Sequence, residues 1–257
     1  MFPISDDNPT LRTPVVTIVL LVLLGAVWIF LQGAGLDPTS LAASVCNFGL
    51  IPGELTEQAP VGTAIPIGPG LACVVDADAI NYLTPITSMF LHGGWGHLFG
   101  NCLFLWVFGN NVEDSVGRFR FVVFYLLCGL AAAAVQVALT PASPVPMVGA
   151  SGAISGVLGA YLVLYPKVRV NILIILFIII RVIQLPAYVV LLWWIAWQLI
   201  IALPQLGSMR TGVSSGVAVW AHIGGFVAGA ALIKLFEDRK LVAERTVARH
   251  YLHPGHP

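Results

Sequence analysis

Long apolar stretches separated by short polar segments dominate the chain. A helix needs about 20 mostly apolar residues to cross the hydrocarbon core of a bilayer. The pattern predicts six membrane-spanning helices, near residues 13–31, 93–111, 119–139, 151–165, 185–203 and 214–236. The first stretch is predicted to be a retained span and not a signal peptide, because its apolar core is long and no small-residue cleavage pattern closes it.

One apolar stretch does not fit this set of spans. Residues 168–180 read VRVNILIILFIII and are rich in β-branched side chains. Hydropathy alone would allow a seventh helix here. Arg181, Gln184 and Pro186 separate the stretch from the fifth span. We therefore favour a buried or re-entrant connection over 168–184, with the added span as the alternative.

Composition supports an all-α integral membrane protein built as a six-helix bundle. Of the 257 residues, 58% are hydrophobic and 9% are charged, against about 25% charged residues in a soluble domain. The formal net charge is zero, so the sequence predicts no nucleic-acid partner. The four cysteines form no metal-ligand pattern, and we expect neither a metal nor a cofactor.

The placement of lysine and arginine predicts the orientation of the spans. Basic residues precede the first span, follow the second and fourth, and end the chain, whereas the opposite loops carry only Arg210. With six spans, both termini are cytoplasmic. This divides the chain into a cytoplasmic tail (1–12), a membrane domain (13–236) with a long outer loop (32–92), and a second cytoplasmic tail (237–257). A bacterial plasma membrane is the compartment we expect.

The long outer loop contains Cys46 and Cys73. An extracytoplasmic position would allow these two cysteines to form a disulfide. Their spacing does not decide between a disulfide and two free thiols.

Three of the spans contain polar groups at a depth where such groups are costly and usually functional. The segments are HGGWGHLFGN in the second span, GASGAISGVLG in the fourth and AHIGGFVAG in the sixth. His97 and Asn101 are spaced i, i+4 and share one helix face. His222 lies in the outer half of its span. All three segments are predicted to converge on a water-filled pit that opens on the outer side.

Ser151 is predicted to begin the fourth helix below the outer surface. The helix from Ser151 to Tyr165 would be roughly 22 Å long, against a hydrocarbon core of about 30 Å. The preceding PASPVPMVG contains three prolines and does not extend the helix outward. Irregular backbone at that depth is tolerated only within protein or beside water.

The residues of the pit predict nucleophilic catalysis. A serine hydroxyl needs an adjacent base, and His222 is the candidate base for Ser151. No acidic residue lies in the three polar segments, so a Ser-His dyad is the economical interpretation. Asn101 and His97, with free backbone N–H groups at the helix start, are candidate donors to the oxyanion.

Glycines are predicted to bring the reacting helices together. Gly149 belongs to the motif around the nucleophile. Gly152 in the fourth span and Gly225 in the sixth span form small-residue faces, which let helices approach closely. That approach would bring Ser151 and His222 within hydrogen-bond reach.

At these residues the chain resembles the rhomboid family of intramembrane serine proteases. The matching segments are HGGWGHLFGN, NVEDSVGRFRF, GASGAISGVLGAY and AHIGGFVAG, in family order over residues 82–236. The resemblance implies a six-helix core, a Ser151–His222 dyad, and oxyanion stabilisation by His97 and Asn101. It also implies single-span membrane protein substrates that are cut in or near the bilayer.

The resemblance extends to a structural motif and has two departures. Glu113, Asp114 and Gly117 match a family turn at the cytoplasmic end of the second span. Many members have a Trp-Arg pair in the first outer loop, where this chain has Leu83 and Thr84. Many also have an aromatic residue one turn after the nucleophile, stacked on the histidine. Here that position is Ser155, so another group is expected to hold His222.

Two other functions are consistent with parts of this pattern. A catalytically silent relative that binds membrane helices is disfavoured by the retained serine, histidine and asparagine. A small transporter or channel is disfavoured because the chain has no inverted repeat and its polar groups stay on one side of the midplane. No oligomeric state is predicted.

Overall fold

The structure, a computed structural model, describes residues 2–76, 80–176, 179–208 and 218–252. Its helices are α1 (Val15–Ala26, continued by a π-helical turn, Val27–Leu31), α2 (Pro38–Phe48), α3 (Pro52–Leu55), α4 (Thr84–Thr87), α5 (Trp95–Phe104), α6 (Asn110–Val116), α7 (Arg118–Leu139), α8 (Ser151–Leu164), α9 (Ala187–Ser208), α10 (Val219–Phe236) and α11 (Arg239–Leu252). A π-helical turn, Leu105–Gly109, joins α5 to α6.

Among the described residues, three helices are long and apolar enough to cross a membrane: α7, α9 as far as Pro204, and α10. The apolar segments Val15–Leu31 and Ser151–Leu164 are shorter. The predicted start of the sixth span at 214 and the loop residue Arg210 lie outside the described residues. The count of six spans therefore stays a prediction.

Helices α7, α8 and α10 form the centre of the bundle. Glycines line the contact between α8 and α10. A Cβ atom on Gly225 would lie 2.0 Å from the carbonyl oxygen of Gly152, and one on Gly229 would lie 1.9 Å from that of Gly156. Only a hydrogen at these positions lets the two backbones approach so closely.

The described fold is mostly helical, as predicted, but it is not purely α, because these residues also form five strands. β1 (Phe2–Asp6), β4 (Arg169–Leu176) and β5 (Ile179–Pro186) form an antiparallel sheet in the order β1-β4-β5. β2 (Ala64–Gly68) and β3 (Leu71–Val74) form a separate hairpin.

The β4–β5 hairpin occupies the stretch for which a re-entrant connection or a seventh helix was considered. The described part contains strands and no helix, so the added-helix alternative is wrong. β-Branched side chains favour extended backbone. One face of the sheet buries Val170 and Ile172 in the same core as α8. On the other face Ile175, Ile180 and Val182 are at least half exposed.

β1 lies within the segment that was predicted as an N-terminal tail. It pairs with β4 from Phe2 opposite Leu173 to Asp6 opposite Val170. It also packs against α5 and the π-helical turn that follows α5. This part of the predicted tail is therefore an integral part of the bundle.

The family turn after the second span ties three parts of the chain together. Glu113 accepts hydrogen bonds from the backbone N–H groups of Val16 (2.9 Å) and Thr17 (2.7 Å). These groups are unpaired donors at the start of α1, so the carboxylate acts as its cap. Asp114 accepts from the N–H of Leu11 and pairs with Arg245 of α11.

The described part of the long loop, 32–92, is folded. Cys46 at the end of α2 and Cys73 in β3 form a disulfide. Leu50 and Met147 exchange two backbone hydrogen bonds of 2.9 and 2.7 Å. Met147 lies four residues before Ser151, so the fold of this loop positions the approach to the serine.

We expect reduction of the disulfide, or Cys46→Ser, to lower the free energy of opening this loop by about 3–4 kcal/mol, because the bridge closes 27 residues of chain. The measurement is limited proteolysis of residues 49–72 in detergent micelles with and without reductant. Cys102→Ser is the control, since Cys102 is a free thiol. Equal cleavage rates before and after reduction would contradict the prediction.

Candidate active site

Ser151 is the first residue of α8. The chain reaches it through Gly149, whose backbone has φ +128° and whose N–H donates to the carbonyl oxygen of Ser88 at 2.9 Å. A Cβ atom on Gly149 would lie 2.7 Å from two ring atoms of His97. Glycine therefore lets the backbone pass close to His97 just before the serine.

His222, in the first turn of α10, lies directly beside Ser151. The distance from His222 Nε2 to Ser151 Oγ is 2.8 Å. Gly152 and Gly225 make this contact possible, because they bring α8 and α10 together in the layer just below it. The serine and its candidate base are thus within hydrogen-bond reach.

The other ring nitrogen of His222 contacts a residue of α9. The distance from His222 Nδ1 to Gln198 Oε1 is 2.9 Å. The ring of Trp194, one turn earlier on α9, lies 5.9 Å from the His222 ring, centroid to centroid. The Ser155 hydroxyl is directed to the backbone, since it donates to the carbonyl oxygen of Ser151 at 2.6 Å.

Asn101 and His97 face the serine from α5. The amide nitrogen of Asn101 is buried and has no hydrogen-bond partner. A buried donor without a partner carries a free-energy cost, which a bound oxyanion would remove. His97 Nδ1 accepts from the N–H of Gly93 at 3.3 Å. In the neutral ring this leaves the proton on His97 Nε2, the nitrogen near Gly149.

A cavity of about 370 Å³ connects these groups. Its polar lining residues are His97, Asn101, Ser151, Ser155, Gln198 and His222, and α5, α8 and α9 add apolar side chains. No Asp or Glu is among its described lining residues. Among the residues with defined positions, no group of three or more His, Cys, Asp or Glu is arranged to hold a metal ion.

Sequence reasoning missed Gln198 and Trp194. Both lie in the stretch that was predicted only as the apolar fifth span. A glutamine within an apolar span is itself the signal that could have identified it, because polar side chains in spans are costly and mark functional positions. Gln136 was also missed, and its side-chain oxygen accepts from the N–H of Ala221 at 3.2 Å, next to His222.

The comparisons with known proteins all point to one family. A model of the rhomboid domain matches residues 81–238. The chain is similar to rhomboid protease GluP of Bacillus subtilis, 46% identical over 80 residues, which cover 31% of this chain and 15% of GluP. It is similar to rhomboid protease AarA of Providencia stuartii, 32% identical over 160 residues, which cover 56% of this chain and 52% of AarA.

A plant relative is also similar to part of the chain. The chloroplastic rhomboid-like protein 11 of Arabidopsis thaliana is 41% identical over 71 residues, which cover 28% of this chain and 25% of the relative. The chain thus spans about half the length of AarA and a quarter or less of the length of the other two relatives.

Proposed function

The chain belongs to the rhomboid family, and from this premise we propose that it is a serine endopeptidase that cleaves membrane-spanning proteins in or beside the bilayer. The observation that carries the proposal is the 2.8 Å contact between Ser151 Oγ and His222 Nε2 in a cavity among apolar helices.

In the proposed reaction His222 Nε2 takes the hydroxyl proton as Ser151 Oγ attacks the scissile carbonyl carbon. The developing oxyanion accepts from the unpaired amide nitrogen of Asn101, from His97 and from the free N–H groups at the start of α8. His222 then returns the proton to the leaving amine, and water hydrolyses the acyl-enzyme in the same way. No carboxylate is required.

The proposed topology is a six-span bundle with both termini in the cytoplasm and the cavity open to the outer side. One line of support is the cluster of basic residues at one set of helix ends. The other is α8, which is shorter than a full span, so that Ser151 at its start would lie below the membrane surface. The proposed compartment is a bacterial plasma membrane. The proposed partners are the lipid bilayer and single-span protein substrates.

We further propose that the β4–β5 hairpin is re-entrant and lies in the inner leaflet. Its exposed face has a hydrogen-bonded polar row, Ser5, Asn171 and Gln184, near the ends of α8 and α9. Further along the strands the same face presents Ile175 and Ile180. This change from polar to apolar matches a sheet that lies at the inner membrane interface, with its polar row toward water and its apolar end toward the lipid and the bundle.

Cysteine labelling tests this position. In a chain without Cys102 and Cys128, we expect Gln184→Cys to react with a membrane-impermeant maleimide in inverted vesicles and Ile180→Cys to react at least about tenfold more slowly, because lipid excludes the reagent. Both positions are exposed on the protein itself, so the difference reports the bilayer. Equal labelling of the two would place the hairpin in water.

The proposed activity is tested with purified wild-type protein in liposomes that contain a model single-span substrate. We expect time-dependent cleavage, and labelling of Ser151 by a fluorophosphonate. A wild type that neither cleaves nor reacts would favour the catalytically silent alternative. Solute flux that continues after complete labelling of the serine would favour the transporter.

A further inference from the structure

A residue of α9 fixes the orientation of the His222 ring, although His222 itself belongs to α10. Gln198 Oε1 lies 2.9 Å from Nδ1, while Ser151 Oγ lies 2.8 Å from Nε2. An amide oxygen is only an acceptor, so Nδ1 carries the hydrogen. The neutral ring then has its lone pair on Nε2, the nitrogen that faces the serine.

Building on the proposed protease function, we propose that Gln198 is the positioning residue of His222, holding the ring in the tautomer that can accept the serine proton. It would act through the histidine and not on the substrate. The Gln198 side chain is 8% exposed, so water competes little for the Nδ1 hydrogen.

No other described side chain takes this role. Ser155, at the position where an aromatic ring was expected, is hydrogen-bonded to the carbonyl oxygen of Ser151. Trp194 packs near the ring with its plane tilted by 43° and restricts its rotation. Ring packing, however, does not distinguish one tautomer from the other. Only an acceptor at Nδ1 does so.

The same hydrogen bond stabilises the charge that forms during the reaction. When Oγ bonds to the carbonyl carbon, the serine proton moves to Nε2 and the ring becomes a cation. Its Nδ1–H then donates to Gln198 as a charge-assisted bond, which is stronger than a neutral one. When the C–N bond breaks, Nε2 gives the proton to the amine. An interaction that strengthens in the transition state raises kcat more than it changes KM.

Steady-state kinetics in liposomes with the model substrate test the assignment. We expect Gln198→Leu, which has no acceptor, to lower kcat roughly 10- to 100-fold and to leave KM within about twofold. Gln198→Glu keeps an oxygen at the same reach, and we expect it to restore kcat to within about fivefold of wild type. The fluorophosphonate labelling rate should follow kcat, because it reports the serine without a bound substrate helix.

Leu199→Met is the matched control, since Leu199 is the next residue on α9 and is 47% exposed. Melting temperatures identify any variant that fails to fold, and Gln198→Met then replaces the leucine variant. Wild-type kcat in Gln198→Leu would overturn the inference, and so would a loss that Gln198→Glu does not restore, since that loss would be one of packing. A wild type without cleavage or labelling would instead overturn the proposed function.

Discussion

Ser151→Ala should reduce cleavage of a membrane-spanning substrate to the uncatalysed background. The change removes the nucleophile, and loss of the serine in a soluble serine protease costs roughly 10⁶-fold in kcat. The methyl group of alanine is smaller than the hydroxymethyl group, so α8 and α10 should keep their packing. The measurement is single-turnover cleavage in liposomes, compared with wild type at equal reconstitution.

Two controls make this result specific to the serine nucleophile. Ser155→Ala removes a hydroxyl one turn further along α8, which donates to the Ser151 carbonyl oxygen. It should keep activity within about fivefold, since a neutral hydrogen bond contributes roughly 1 kcal/mol. His222→Ala should lower the cleavage rate as far as Ser151→Ala does, because the effects of residues that act as a unit are not additive. Cleavage that survives Ser151→Ala would show that another group is the nucleophile.

Gly229→Ala should destabilise the bundle by more than about 3 kcal/mol, the upper part of the range for overpacking. The new Cβ would lie 1.9 Å from the carbonyl oxygen of Gly156 and 2.4 Å from its carbonyl carbon. These are backbone atoms of a packed helix and do not rotate away. α8 and α10 must separate, and the distance between Ser151 and His222 increases with them.

Gly25→Ala is the matched substitution for this test. Gly25 also lies within a helix, α1, and a Cβ there meets nothing within 4 Å. Both changes gain up to about 1 kcal/mol of helix propensity, so their difference isolates the steric conflict. Thermal reactivity of the buried Cys128 thiol with a fluorogenic maleimide reports unfolding. Equal melting temperatures for the two variants would show that α8 and α10 adapt without separating.

The sequence predicted which residues lie together at the candidate site better than it predicted the rest of the fold. Ser151, His222, Asn101 and His97 were proposed as site residues because polar groups within apolar spans are energetically costly and usually functional. Their proximity follows from glycines that could be read from the chain. The contact of His222 with Gln198 was missed, since Gln198 was treated as one residue of an apolar span.

The sheet could not be predicted for a different physical reason. An apolar run rich in β-branched residues is consistent with a buried helix and with a strand, and periodicity does not separate them. The extended conformation of this run depends on a strand that is distant in sequence, because β1 pairs with β4. Similarly, the spacing of Cys46 and Cys73 did not show that they form a disulfide, which depends on how α2 and β3 meet.

The pairing of β1 with β4 also sets an order for biosynthesis. Ser5 and Asn171, hydrogen-bonded neighbours in the sheet, are 166 residues apart. At synthesis rates of about 5–20 residues per second, the first strand waits on the order of ten seconds for its partner to leave the ribosome. During that interval Phe2 and Ile4 are unpaired and apolar. A nascent chain must therefore synthesise α1 to α8 before β1 can reach its final place, and a chaperone or the translocation machinery has time to act on β1.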